Sequence, residues 1–184
     1  ANAAAVPMNR KCITLFKTLL LATASACAHP EDQCEMQIKP APHVLEARFT
    51  FNLLTLTKCV RVDADGDGML SVGELKAAEP AFTRYLNEHI QLEVNAKPAV
   101  WGEKAEYHYL WPRFAATPPL GEEEYAGRHL DVTFVLPQKA LLEAFSIRFE
   151  VFGQTGPRHT IRGIFEQDGQ VLEVPFSLQK PEHT

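Results

Sequence analysis

The sequence predicts a mainly β fold, an antiparallel β-sandwich interrupted once by a helix–loop–helix. Three observations point there. From Leu92 onward apolar residues recur at period two in about six short runs separated by turn residues. Between residues 53 and 90 the apolar spacing changes to three and four, the spacing of a helix face. Apolar residues make up 46% of the 184-residue chain, which is enough for one domain with a core.

Residues 1–7 precede Met8 and are set aside as upstream sequence. Asn9-Arg10-Lys11, the apolar stretch Cys12–Ala24 and the small residues before His29-Pro30 then have the order of a secretory signal peptide. The stretch is shorter than the roughly 20 residues a membrane span needs. Two processing readings stand side by side. Ala26-Cys27-Ala28 is an A-x-A site with cleavage before His29, whereas Cys27 as first mature residue would be acylated as in a bacterial lipoprotein, after a weak lipobox. Either way the protein is expected in the periplasm or cell envelope. Residues 29–43 read as a proline-bearing arm and 44–184 as one domain. Setting Cys12 and Cys27 aside with the leader leaves Cys34 and Cys59. An exported chain offers them an oxidising compartment, and the spacing accommodates a Cys34–Cys59 disulfide or two free buried thiols. The formal charge of −5 and the lack of a basic stripe argue against nucleic acid.

Residues 44–51 alternate and are β-rich, so they read as the first strand. Leu53, Leu56 and Val60 fit a short helix over 53–62, although Thr55, Thr57, Val60 and Val62 equally suit an extended chain. Val72–Ala78 is predicted helical, with Pro80 interrupting or restarting the helix because it lacks an N–H. Phe82, Tyr85, Leu86 and His89 or Ile90 continue an apolar face. Strands follow at Leu92–Val94, Val100–Trp101, Ala105–Phe114, His129–Leu136, Ser146–Phe152, Thr160–Gln167 and Val171–Leu178. Residues 95–98, 117–121, 153–157 and 167–170 separate them, and Asp168-Gly169 suits a two-residue hairpin turn. Short strands between turn signals are the pattern of an immunoglobulin-like sandwich.

Within the helical interruption lies Asp63-Ala-Asp-Gly-Asp-Gly-Met-Leu-Ser-Val-Gly-Glu74. This is the spacing of an EF-hand calcium loop, in which a hard cation takes six or seven oxygens from a chain that folds back on itself. Asp63, Asp65 and Asp67 fall at positions one, three and five. Gly68 falls at position six, where a sharp turn favours positive φ. Met69 would donate its backbone carbonyl and Ser71 would ligate directly or through water. Glu74 would close the site with both oxygens, which favours calcium over the tighter octahedron of magnesium. No second such loop occurs, so the loop must lean on the sandwich or on a partner molecule.

Other chemistry is thinly represented. His29, as a mature N-terminus, would bring an amine and an imidazole to copper, with His43, His89, His108, His129 and His159 in principle available, but none forms a close ligand pair. No Gly-x-Ser-x-Gly and no His-Glu-x-x-His occurs, and Glu122-Glu123-Glu124 reads as a solvated charge run. An enzyme is therefore not expected. Tyr107, Tyr109 and Trp111 sit at alternate positions and would share one strand face, either packed in the core or open to carbohydrate or protein.

The exported start at His29-Pro30, the β-rich strand, the loop Asp63–Glu74 followed by Leu75, and Phe152 with Gly156-Pro157-Arg158-His159 and Asp168-Gly169 occur in an order that resembles a known family. It is the extracytoplasmic N-terminal domain of HupE/UreJ-like bacterial membrane proteins. The resemblance spans roughly residues 29–178 and is specific only at the calcium loop. It implies an exported calcium-binding domain with Asp63, Asp65, Asp67, Met69, Ser71 and Glu74 as ligands, and a membrane or envelope protein as partner. The family's membrane helices have no counterpart in this sequence, so transport is not implied.

Overall fold

The computed structural model describes residues 33–167 and 169–183. The leader, Cys27 and His29 lie outside the described residues. Ten strands, three α-helical segments and two short 3₁₀ helices follow one another among them. β1 (Gln33–Ala41) and β2 (Val44–Asn52) lead into α1 (Leu53–Cys59) and α2 (Val72–His89). β3 (Ile90–Val94), β4 (Lys97–Ala99) and β5 (Glu106–Tyr109) come next, then 3₁₀ helices at Phe114–Ala116 and Glu122–Gly127. β6 (His129–Pro137), β7 (Phe145–Phe149), α3 (Phe152–Thr155), β8 (Thr160–Gln167), β9 (Gln170–Phe176) and β10 (Glu182–His183) complete the order.

The strands form two sheets, in the orders β5-β6-β2-β1-β8-β9 and β10-β7-β3-β4. The protein is thus mainly β, as expected. One pair departs from the antiparallel expectation, because β1 runs parallel to β8, with Cys34 opposite Ile161 and Met36 opposite Gly163. The same observation corrects the reading of 29–43 as an arm. Residues 33–41 form an interior strand of the larger sheet, since Cys34, Met36 and Ile38 alternate inward and are buried. That period-two signal was present in the sequence, beside the distraction of Pro40 and Pro42.

Aromatic rings join the sheets. Phe149 of β7 meets Phe176 of β9 at 4.8 Å, and Phe145 meets Phe165 at 5.8 Å. Phe49 of β2 packs edge-on to Trp101 at 5.2 Å, and the Trp101 indole N–H donates to the Ile90 carbonyl. Such edge-to-face contacts add to the stabilisation that burial provides. Where β1, β8 and β9 pass closest there is no room for a side chain at Gly163. An added Cβ would stand 2.5 Å from Phe176 Cε2, 3.1 Å from the Val174 carbonyl and 3.2 Å from Met36 Cε. Gly163→Ala should therefore destabilise the fold by about 1–3 kcal/mol, the usual cost of overpacking, measured by urea unfolding.

The crossing from β2 in the larger sheet to β3 in the smaller one is made by the helix–loop–helix of α1, residues 60–71 and α2. Asn52 caps α1 by accepting from the Thr55 N–H at 2.8 Å. α1 stops at Cys59, short of residue 62, because Val60 is already extended with φ −141°. α2 runs without a break through Pro80 for 18 residues, which corrects the expected interruption. The lost hydrogen bond costs about 3 kcal/mol. Burial of Leu75, Ala78, Phe82, Tyr85 and Leu86 along one face outweighs it, and the Tyr107 hydroxyl donates to the Glu79 carbonyl beside the proline.

Several strand ends moved for local reasons. β5 stops at Tyr109 rather than Phe114, because Pro112 has no N–H and Arg113 adopts φ +57°. The β3–β4 turn is confined to Asn95 and Ala96, both at positive φ, so Lys97 and Pro98 belong to a strand. Asn95 also accepts from the Glu143 and Ala144 N–H groups and donates to the Leu141 carbonyl. β7 ends at Phe149, and α3 occupies the expected turn around residues 153–157. β8 spans Thr160–Gln167 as predicted, and Gln167 pairs with Gln170 around a two-residue connection with Gly169 at φ +75°.

Cys34 and Cys59 are free, so the disulfide reading is corrected. Cys34 donates to Thr55 Oγ1 at 3.8 Å, and Cys59 lies near the Tyr85 hydroxyl, which itself donates to Gln154. Burial pushes the Cys34 thiol up to about 12 and the Cys59 thiol up to about 11. Both groups therefore stay neutral in the folded chain at a pH where the unfolded chain ionises. With folded values raised, the stability they contribute is full below about pH 9 and is lost as pH rises above it, by about 1.4 kcal/mol per pH unit for each thiol. Urea unfolding between about pH 7.5 and 10.5 should show this decline, and Cys34→Ser should roughly halve its slope, leaving the share of Cys59. Constant stability across that range would contradict the assignment.

Candidate metal centre

The loop between α1 and α2 folds back so that one carboxylate oxygen from each of Asp63, Asp65 and Asp67 lies within 4.8 Å of the other two. Main-chain amides hold them there. Asp63 Oδ1 accepts from the Gly66 N–H at 2.6 Å and Oδ2 from the Gly68 N–H at 3.0 Å. Asp65 Oδ1 accepts from the Asp67 N–H at 3.1 Å, and Asp67 Oδ1 from the Met69 N–H at 2.7 Å. Gly66 and Gly68 take φ +78° and +79°, a region that a Cβ would oppose. Among the described residues, no lysine or arginine pairs with these three carboxylates; Arg61 instead donates to the carbonyls of Asp63 and Ala64. Three close, largely exposed hard oxygen donors suit a hard divalent cation.

Glu74 stands apart from this group. It is the third residue of α2 and completes a capping box with Ser71. Its Oε2 accepts from the Ser71 N–H at 2.9 Å and the Ser71 hydroxyl at 2.8 Å, while Oε1 accepts from the Ala64 N–H at 2.9 Å. The Ser71 amide, then its hydroxyl, then the Ala64 amide hold the Glu74 carboxyl down at about 2. Of the expected ligands, the structure therefore brings three side chains together. It places Ser71 and Glu74 at the helix start, with the exposed Met69 two residues ahead of Ser71. The Ser-x-x-Glu spacing that fits loop positions nine and twelve is equally the signature of a capping box.

The loop is also tied across the molecule. Leu70 and Leu120, both fully buried, exchange main-chain hydrogen bonds at 2.9 and 3.0 Å as an isolated antiparallel bridge. Nothing in the sequence flagged Leu120. It follows two prolines in what read as a connection, and only a tertiary contact reveals it. Beyond it, Tyr125 is buried, and its phenol is pushed up by that burial and then by the charges of Asp63, Glu122, Glu74 and Asp67.

The aromatic strand face is packed inward, which corrects the reading of an open recognition surface. Tyr109 and Trp111 are buried, and Tyr109 stacks on Phe114 at 3.7 Å. The Tyr107 hydroxyl is held by Thr83 and Glu79, and the Tyr109 hydroxyl donates to Glu79 Oε1. Trp111 lies beyond the end of β5, so the three rings do not form one strand face. Among the described residues the histidines do not converge into a ligand group.

A mainly β, two-sheet chain with a helix–loop–helix crossing and three convergent aspartates is the class that fold and site define. No protein-family model and no curated protein matches this chain.

Proposed function

We propose that this chain is an exported calcium-binding domain, an immunoglobulin-like sandwich with an inserted EF-hand whose single loop binds Ca²⁺ in a mainly structural role. The convergence of the Asp63, Asp65 and Asp67 carboxylates around a loop turned at Gly68 carries the reading. Asp63, Asp65, Asp67 and Glu74 would supply charged oxygens, Met69 its carbonyl and Ser71 its hydroxyl or a bound water. The cation would neutralise carboxylates that otherwise repel one another, and so would fix the crossing between the two sheets. The order of motifs that resembles HupE/UreJ-like extracytoplasmic domains supports export and a membrane or envelope partner. No helix among the described residues is long and apolar enough to cross a membrane.

Calorimetric titration with calcium, and separately with magnesium, tests the proposal. One calcium should bind per chain, with magnesium weaker. Unfolding in calcium at 100 times its dissociation constant should require about 2.7 kcal/mol more than in chelator. Glu74→Gln should weaken binding. No heat at millimolar calcium would sink the assignment.

A further inference from the structure

The acidic loop does not stand alone: it pairs with a second stretch that retains its frame and lacks its ligands. Leu70, at the eighth position of the acidic loop, is bridged to Leu120 by both main-chain hydrogen bonds. The residue after each leucine is the N-cap of a helix, Ser71 before α2 and Gly121 before Glu122–Gly127. Each cap is followed at the third helical position by a glutamate, Glu74 and Glu124, and then by a buried side chain, Leu75 and Tyr125. Counting back from Leu120 as from Leu70, Arg113 stands where Asp63 does, Ala115 where Asp65 does, Thr117 where Asp67 does and Pro118 where Gly68 does. An arginine and an alanine supply no oxygen from their side chains, and proline cannot take the positive φ of the turn. This second stretch is therefore not built for a cation.

The same segment holds the incoming helix. The Leu53 N–H at the start of α1 donates to the Arg128 carbonyl at 2.9 Å, and Glu122–Gly127 packs against α1. Arg128 in turn pairs with Glu124 at 2.8 Å and lies over the Trp111 ring. Both flanks of the acidic loop, α1 before it and Leu70 within it, thus rest on residues 120–128. The charges of Asp63, Asp67 and Glu74 reach Tyr125 in the middle of that segment.

We infer that residues 113–124 are the intramolecular, ligand-free partner of the 63–74 loop, and that cation binding at Asp63–Asp67 is transmitted through the Leu70–Leu120 bridge to order residues 120–128. The inference rests on the calcium reading above. It makes the surface turn Glu122–Gly127, remote in sequence from the cation, the part of the molecule that responds to calcium.

Amide hydrogen exchange of the full chain, with calcium alone as the added ligand, tests it. Calcium should slow exchange about tenfold or more both in residues 63–76 and in residues 117–128, while β8 and β9 stay unchanged. Slowing confined to 63–76 would overturn the coupling and leave calcium binding intact. No slowing in either segment at millimolar calcium would overturn both. Leu120→Pro, which removes the amide that donates to Leu70, should weaken calcium binding about tenfold while exchange in β8 and β9 stays native. Unchanged affinity in that variant would also overturn the coupling, and the wild-type exchange decides the matter if the variant does not fold.

Discussion

Phe82→Ala should lower the unfolding free energy by about 3–5 kcal/mol, the range for truncating a buried phenylalanine. Phe82 is completely buried at the centre of α2. Its ring meets Phe51 of β2 edge-on at 5.0 Å and stacks on Tyr85 at 6.2 Å, so it is the point where the helix crossing is anchored to the larger sheet. α2 also runs on directly into β3 of the smaller sheet, and a cavity here loosens the joint between the two sheets. The cost should fall in the upper half of that range, because the surrounding rings are held by their own strands and collapse little. Urea unfolding monitored by tryptophan fluorescence measures it. A loss below about 1 kcal/mol would show that α2 contributes little to the cooperative core.

Asp63→Ala should weaken calcium binding by at least about 100-fold, and the same substitution should erase the calcium-dependent rise in melting temperature. Asp63 combines two duties that alanine cannot perform. It contributes a carboxylate to the convergent group, and it accepts from the amides of Gly66 and Gly68, which holds the turn closed. Removing it takes one carboxylate from the convergent group and leaves two amides of the loop to water. Asp63→Asn retains one of the two acceptor oxygens and should recover part of the loop order without the charge. Calorimetry of the two variants separates ligation from loop closure: equal losses would assign the whole effect to charge. Wild-type affinity in Asp63→Ala would remove Asp63 from the site.

Much of this molecule was legible wherever a signal is local. The ends of β8, the hairpin at Gly169, the inward face of α2 and the clustering of Asp63, Asp65 and Asp67 follow from periods, turn residues and spacing over a dozen residues or fewer. Where local signals competed, packing chose between them. Pro80 alone argues for a break in α2, but the apolar stripe on either side of it argues for continuity, and the burial of five residues outweighs one lost hydrogen bond. Pro40 and Pro42 argue for an arm, but Cys34, Met36 and Ile38 alternate as a strand does, and two neighbouring strands complete the ladder. Tyr107 and Tyr109 alternate as expected, but only the position of α2 against β5 sends their hydroxyls to Glu79 and Thr83 rather than to solvent.

By itself, the sequence determined the mainly β character, the place of the helix–loop–helix and the clustering of Asp63, Asp65 and Asp67, because each depends on neighbours a few positions apart. Tertiary structure decided the parallel pairing of β1 with β8, the burial of Cys34 as a free thiol, the burial of the aromatic cluster and the bridge from Leu70 to Leu120. These join residues tens to more than a hundred positions apart, and the free energy that selects them comes from removing apolar surface and pairing backbone groups across the folded chain, which no local pattern encodes.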